Sequence, residues 1–245
     1  MSTDYPFLDR FGSVGVLTAL ELKLILRHKR TRTMVFMTLF FLFYGLIFYR
    51  QDLIDQDRIN SIIFAAVFMT GTSISMYGQF MFGWQAAHFD GLMANKISLK
   101  DFITSKLLFF TAISSIVMLI TCLYGLISWK ILYIQLATYL YNIGIGTIII
   151  LYFATRNSKA IDLNKRGIFN NQGVGASQFI MVIPYFVIPY VFYLPFSYYD
   201  HPYWGISCLG LAGIIFLSTR NFWITFLVKE LNKRKYKIGE GFRQR

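Results

Sequence analysis

Charge is scarce in this sequence. Asp, Glu, Lys and Arg make up 15% of its 245 residues, where a soluble chain carries roughly a quarter. Cysteine is scarcer still: Cys122 and Cys208 each sit inside an apolar run. They read as small buried hydrophobes, so neither a disulfide framework nor a cysteine-based metal site is implied. The three histidines, His28, His88 and His201, are too scattered for a zinc site, and no His-Glu-x-x-His occurs. There is no Gly-x-x-x-x-Gly-Lys-Ser/Thr, so the chain carries no nucleotide-binding P-loop. The glycine-rich GIFNNQGVG at 167–175 lacks that lysine and a preceding strand, and reads as a flexible bend. No cleavable signal peptide is expected, because the start is polar and the first long apolar run begins near Met34.

What is present is apolar. Hydrophobic residues make up 56% and aromatics 18%, and the mean hydropathy is +0.50. Several runs reach the ~20 residues that cross a bilayer. The fold class is therefore an all-α polytopic membrane protein. Six transmembrane helices are expected, with an N-terminal interfacial helix and a cytoplasmic coupling helix. The spans fall at about 34–49, 59–82, 102–127, 131–153, 178–196 and 203–218. They divide the chain into an N-terminus at 1–33, a transmembrane domain at 34–218 and a basic tail at 219–245. The connectors at 83–101 and 154–177 lie inside the transmembrane domain.

The net charge of +12 is distributed as a membrane chain distributes it. Segments 1–33, 83–106, 154–177 and 219–245 hold 21 of the 24 lysines and arginines, and only Arg50, Arg58 and Lys130 lie on the other side. Basic residues stay cytoplasmic, so both termini and both connectors are expected on the cytoplasmic side of a bacterial inner membrane. This pattern suits lipid headgroups and gives no reason to expect nucleic acid as a partner.

Within 1–33, Val16, Leu20 and Leu24 alternate with basic groups at helical spacing. An interfacial helix is predicted, its apolar side in the headgroup boundary and Lys23, Arg27, Lys29 and Arg30 facing lipid phosphates. The plainer alternative is a solvated basic lead into the first span. The second span, with Gly71, Thr72, Ser73, Ser75 and Gly78, is expected inside the bundle, since small residues let helices approach closely. The fifth span holds Pro184, Pro189 and Pro195. Proline removes a backbone donor, so this span is expected to be bent or broken and packed against other protein. Tyr185, Pro189, Tyr190 and Tyr193 are candidates for an outer gate or its hinge, the alternative being a helix that merely turns at the outer surface. No ionisable residue lies between the ends of the spans as drawn, which argues against a proton- or sodium-coupled carrier.

The connector Gly83–Asp101 has one internal glycine and no proline, so it reads as a docking element and not a linker. Ser98 followed three residues on by Asp101 is a capping pair that starts the third span. An enzymatic alternative rests on Asp90-Gly91-Leu92-Met93-Ala94, which resembles the core of membrane phosphatidyl-alcohol transferases. Asn95 stands where that motif needs arginine, and Ala87 where it needs an upstream aspartate.

The segment FDGLMANKIS (89–98), followed by Lys106, resembles the cytoplasmic signature of ABC-2-type transporter permeases, with Asp90 for the commoner glutamate and Lys96 at the usual proline position. LELKLILRHKRTRTM (20–34), IDLNKRGIFNNQGVGASQF (161–179) and KYKIGEGFR (235–243) are similar to a family of uncharacterised Bacteroidetes permeases. The resemblance implies a non-catalytic permease subunit that works with a second copy or a paralogue. A separate ABC ATPase subunit would bind the ATP and Mg and dock on the connector, and this chain itself would hold no cofactor. His88, Phe89, Asp90, Gly91, Leu92, Met93 and Lys96 are the coupling candidates. In this picture Phe89, Leu92 and Met93 fill a groove on the ATPase, while Asp90 and Lys96 fix its orientation. A structural subunit of a membrane secretion complex would share these features and is the competing class.

Overall fold

The computed structural model of the chain describes residues 5–50, 54, 58–94, 97–163 and 174–244. The short α1 (Pro6–Asp9) leads into α2 (Gly12–Arg27), and the extended backbone of His28 (φ −103°, ψ 126°) separates α2 from α3 (Lys29–Phe41). The break falls at His28, a few residues before the expected start of the first span. A 3-10 turn at Leu42–Tyr44 carries α3 into α4 (Gly45–Phe48). Next come α5 (Ile59–Gly78), the short α6 (Phe89–Ala94) and α7 (Leu99–Thr121). Helix α8 (Trp129–Tyr141) passes through a π-helical turn at Asn142–Gly146 into α9 (Thr147–Ala154). The chain ends in α10 (Ala176–Tyr198), α11 (Pro202–Ser218) and α12 (Arg220–Arg243). There is no strand among the described residues.

Five stretches are long and apolar enough to cross a membrane: Lys29–Phe48, Ile59–Gln85, Leu99–Leu126, Trp129–Ala154 and Ala176–Tyr198. A sixth arises only if α11 and α12, bent by 70° at Thr219, are taken together. The caps explain several starts. Ser98 is extended and its hydroxyl accepts from the N–H of Asp101 at 3.4 Å, as the sequence predicts. Ser128 does the same for α8 through the N–H of Lys130.

Helix α5 forms the middle of the bundle, in keeping with its small residues. Gly71 faces a position where a Cβ would come within 1.8 Å of the Tyr185 hydroxyl. Opposite it, α11 meets the π-helical turn backbone to backbone: a Cβ on Gly144 would lie 2.5 Å from the carbonyl oxygen of Gly213. Close contact of this kind is how helices associate where lipid supplies no hydrophobic drive.

Helix α10 departs from expectation. Its three prolines do not break it, and it runs unbroken from Ala176 to Tyr198. Nor is it enclosed, because Phe179, Ile183, Val191 and Leu194 all lie more than half exposed. The fully buried stripe is Gln178, Met181, Tyr185, Pro189 and Tyr193, flanked by the half-buried Phe186, Ile188, Tyr190 and Phe192. The buried positions recur about one turn apart, so Pro189 is buried against neighbouring protein, while Pro184 is half-buried and Pro195 exposed.

The C-terminal segment is a helix to Arg243, and its apolar stripe of Ile224, Leu227, Leu231, Ile238 and Phe242 is buried. Phe216 and Trp223 stack across the bend with centroids 4.5 Å apart, and Phe226 stacks on Tyr152 at the end of α9.

Candidate functional site

Three segments meet at the end of the bundle that carries most of the basic residues. After α5 the chain turns through Gly83–Gln85, where Trp84 is buried, donates its Nε1–H to the Tyr77 carbonyl at 3.1 Å and stacks on the Tyr77 ring. The N–H of Ile161 donates to the Gly83 carbonyl, which ties the second connector to the first. Helix α6 then lies against α12. Phe89 is buried edge-on against Phe242 with centroids 5.3 Å apart, and Arg243 Nε donates to Asp90 Oδ2 at 2.9 Å. Gly241 completes the junction, since a Cβ there would lie 2.4 Å from the Ser158 carbonyl oxygen. Between α6 and α12 remains a cleft of about 630 Å³ whose walls include Met93, Ala94, Tyr236 and Glu240.

The Asp90–Arg243 pair is solvent-exposed on both sides, so salt screens it and its value lies in register more than stability. The hydrogen bond from Arg243 holds the Asp90 carboxyl below the usual aspartate range.

A few turns away lies a group that the sequence reading misses. Lys106 of α7 and Glu21 of α2 form an ion pair in which both side chains are essentially inaccessible to water. The hydroxyl of Tyr77 donates to Glu21 Oε2 at 2.9 Å, and Gln85 Nε2 donates to Oε1. The Lys106 ammonium also lies 4.5 Å from the centre of the Phe102 ring. Contrary to expectation, an ionisable residue does lie between span ends: Lys106 is inside the Leu99–Leu126 span, and its partner comes from the helix expected to be interfacial. The signal available was Lys106 itself, set between Ser105 and an apolar run.

The model of the DUF5687 family, described as a family of unknown function, matches residues 1–245. The chain belongs to this family. No curated protein and no solved structure matches it.

In this DUF5687 chain the expected coupling residues divide. His88, Asp90 and Gly91 are exposed, and Leu92 and Met93 are half-buried. Phe89 is 1% exposed and packed on Phe242, so it is corrected from a partner-facing side chain to an internal anchor. Lys96 lies outside the described residues. Of the four headgroup-facing candidates, Arg27 and Lys29 are exposed and Lys23 is half-buried. Arg30 is buried instead, donating to the Asp162 carbonyl at 2.9 Å with its guanidinium over the Trp84 ring.

The four proposed gate residues are not a surface cluster. Tyr185, Pro189 and Tyr193 face the interior, while Tyr190 is half-buried and donates to the Asn60 carbonyl at 3.0 Å. The Tyr185 hydroxyl donates to Asn142 Oδ1 at 2.6 Å, and Asn142 Nδ2 donates to the Val67 carbonyl and to Thr70 Oγ1. One polar group on each of α5, α10 and the π-helical turn is thereby satisfied inside the apolar core. Among the described residues no three His, Cys, Asp or Glu side chains converge on a common point. The two-metal arrangement that phosphatidyl-alcohol transfer needs is not formed by them.

Proposed function

We propose that this chain is the membrane-spanning subunit of an ATP-driven transporter of the ABC-2 type. A separate ATPase would dock at the junction of α6 and α12. One observation supports this reading above the others. The connector between the second and third spans is folded and latched to the C-terminal helix, and together they frame an open cleft of about 630 Å³. A mere loop between spans has no reason to be built this way.

The docking face is composite. Tyr236, 79% exposed on α12, stands beside Met93 on the same cleft, and aromatic and Met side chains are the usual anchors of protein interfaces. Phe89 holds α6 in place from behind. A push on α6 passes to the Ser98-capped start of α7, and from there through Lys106 to Glu21 of α2. ATP and Mg would be bound by the partner, and a second copy or a paralogue of this chain would complete the pathway. Both termini and both connectors lie in the cytoplasm of a bacterial cell in this arrangement.

The test is purification in mild detergent from cells making the chain at native level. A P-loop ATPase is expected in near-stoichiometric amount. The double variant Met93→Ala/Tyr236→Ala is expected to lose it while eluting at the same size without aggregation. An ATPase retained in full by the double variant moves the docking site elsewhere, and the absence of any ATPase from the wild-type preparation overturns the proposal.

A further inference from the structure

A second cleft, of about 310 Å³, opens between α2, the connector and the start of α7. One wall is apolar: Leu17, Leu20 and Leu24 recur at helical spacing on α2, and Phe102 closes the inner end. The remaining lining adds Gln85, Leu92 and Leu163 to a basic rim. Lys23, Arg27 and His28 come from α2 and its break, His88 from the connector, and Lys106 lies at the floor. None of the described lining residues is a carboxylate. Glu21 stands behind the floor and is engaged by Lys106, Tyr77 and Gln85.

A leucine wall beside a positively charged rim selects an amphiphilic anion. A small soluble anion would use the cations and leave the leucines idle, and a zwitterionic headgroup would bring an ammonium against the rim. The position of the cleft narrows the choice. Helix α2 also presents Leu26, 53% exposed, outside the cleft, and Leu20 in its wall is itself 46% exposed, as on a helix that lies at the boundary between headgroups and acyl chains. The volume is too small for a whole phospholipid and suits a headgroup with the first methylenes of its chains, the remainder staying in the bilayer.

We infer that the cleft between α2 and the start of α7 binds the headgroup of an anionic phospholipid from the adjacent leaflet. The phosphate sits among Lys23, Arg27 and the two histidines, and the glycerol and upper acyl carbons lie on Leu17, Leu20 and Leu24. Because the floor is the Lys106 side chain, an occupied cleft braces α2 against α7. The inference stands on this cleft alone and does not depend on the ATPase partner.

The experiment is native mass spectrometry of the purified full chain in neutral detergent, titrated with phosphatidylglycerol or phosphatidylcholine. Phosphatidylglycerol is expected to be retained as a discrete adduct and phosphatidylcholine is not. Lys23→Gln/Arg27→Gln is expected to weaken phosphatidylglycerol retention by roughly thirtyfold, following the attraction each of the two basic residues adds at an anionic surface. The control Lys233→Gln/Lys235→Gln removes two charges on α12 and is expected to leave retention unchanged. Leu20→Gln, at a position already half exposed, is expected to weaken lipid retention without loss of fold. Equal losses in the two charge variants show a diffuse electrostatic effect and overturn the proposal, as does equal retention of the two lipids. Full displacement by millimolar inorganic phosphate, with Leu20→Gln silent, makes it a free-anion site and overturns the lipid assignment.

Discussion

The hydroxyl of Tyr141 donates to the main-chain carbonyl of Tyr185 at 2.7 Å. In an uninterrupted helix that carbonyl takes the N–H four residues on, and position 189 is proline, which has none. A side chain of α8 therefore supplies the donor that α10 lacks. This is how a proline-rich span can run unbroken with most of its surface turned away from protein: the one proline on the inward stripe is compensated from outside its own helix.

Removing that donor gives a measurable prediction. Tyr141→Phe is expected to cost about 1 kcal/mol of stability, in the range of interhelical hydrogen bonds in membranes. In a Pro189→Ala background the helix regains its own N–H, and the same substitution is expected to cost much less. Reversible unfolding in mixed micelles measures both. Equal losses in the two backgrounds would mean that the hydroxyl is not filling the place of the missing N–H.

Lys106 and Glu21 should behave as a unit. Among the described residues, Lys106→Met leaves a buried carboxylate with Tyr77 and Gln85 as its partners, and removing one member of a buried pair typically costs about 3–5 kcal/mol. The double variant Glu21→Gln/Lys106→Met removes both charges and is expected to recover most of the loss. Thermal inactivation in detergent reads the difference. A double variant no better than Lys106→Met would show that the two charges do not compensate each other.

Phe89→Ala tests the anchoring of the C-terminal helix. Truncating a buried Phe costs about 3–5 kcal/mol in protein cores, and here the lost contact is chiefly with Phe242. The expected result is local: faster amide exchange and faster protease cleavage between Leu231 and Arg243, with the spans unaffected. Protection in α12 that survives the substitution would relocate the anchor.

Orientation can be read by labelling single cysteines with a membrane-impermeant reagent. Arg58→Cys and Tyr198→Cys, both at exposed positions, are expected to react in intact cells. Lys159→Cys and Gln244→Cys are expected to react only after permeabilisation. Asp200 is a poor site for this purpose because its backbone holds a positive φ of 60°. Reversed labelling of either pair would refute the cytoplasmic placement of the connectors.

Much of the architecture is legible in the sequence because bilayer thickness and backbone chemistry act locally. The long apolar runs mark the spans, Ser98 and Asp101 mark the start of α7, and the small residues of α5 mark the enclosed helix. The pairings between helices are not local. Glu21 reads as one polar position on an amphipathic helix, and nothing nearby in sequence tells that Tyr77, Gln85 and Lys106 converge on it. Arg30 likewise looks like one more basic residue beside Lys29, yet packs under Trp84. The prolines of α10 invite a wrong inference for a related reason. The local rule counts the donors that proline removes, and the Tyr141 donor comes from another helix. At the candidate site, the spacing of Phe89 and Leu92 marks a short helix with an apolar side but not which of its faces the chain covers itself.

The Glu21–Lys106 pair also constrains the order of events while the chain is being made. Glu21 emerges from the ribosome first, and the lysine that neutralises it belongs to the third span. Until that span exists, burying α2 would place a lone carboxylate in an apolar medium. Unless Glu21 takes up a proton, the N-terminal helix is expected to stay at the water boundary through the insertion of two spans and to seat itself when Lys106 arrives. Its docking is then expected late in biogenesis, although it is the first long helix among the described residues to be synthesised.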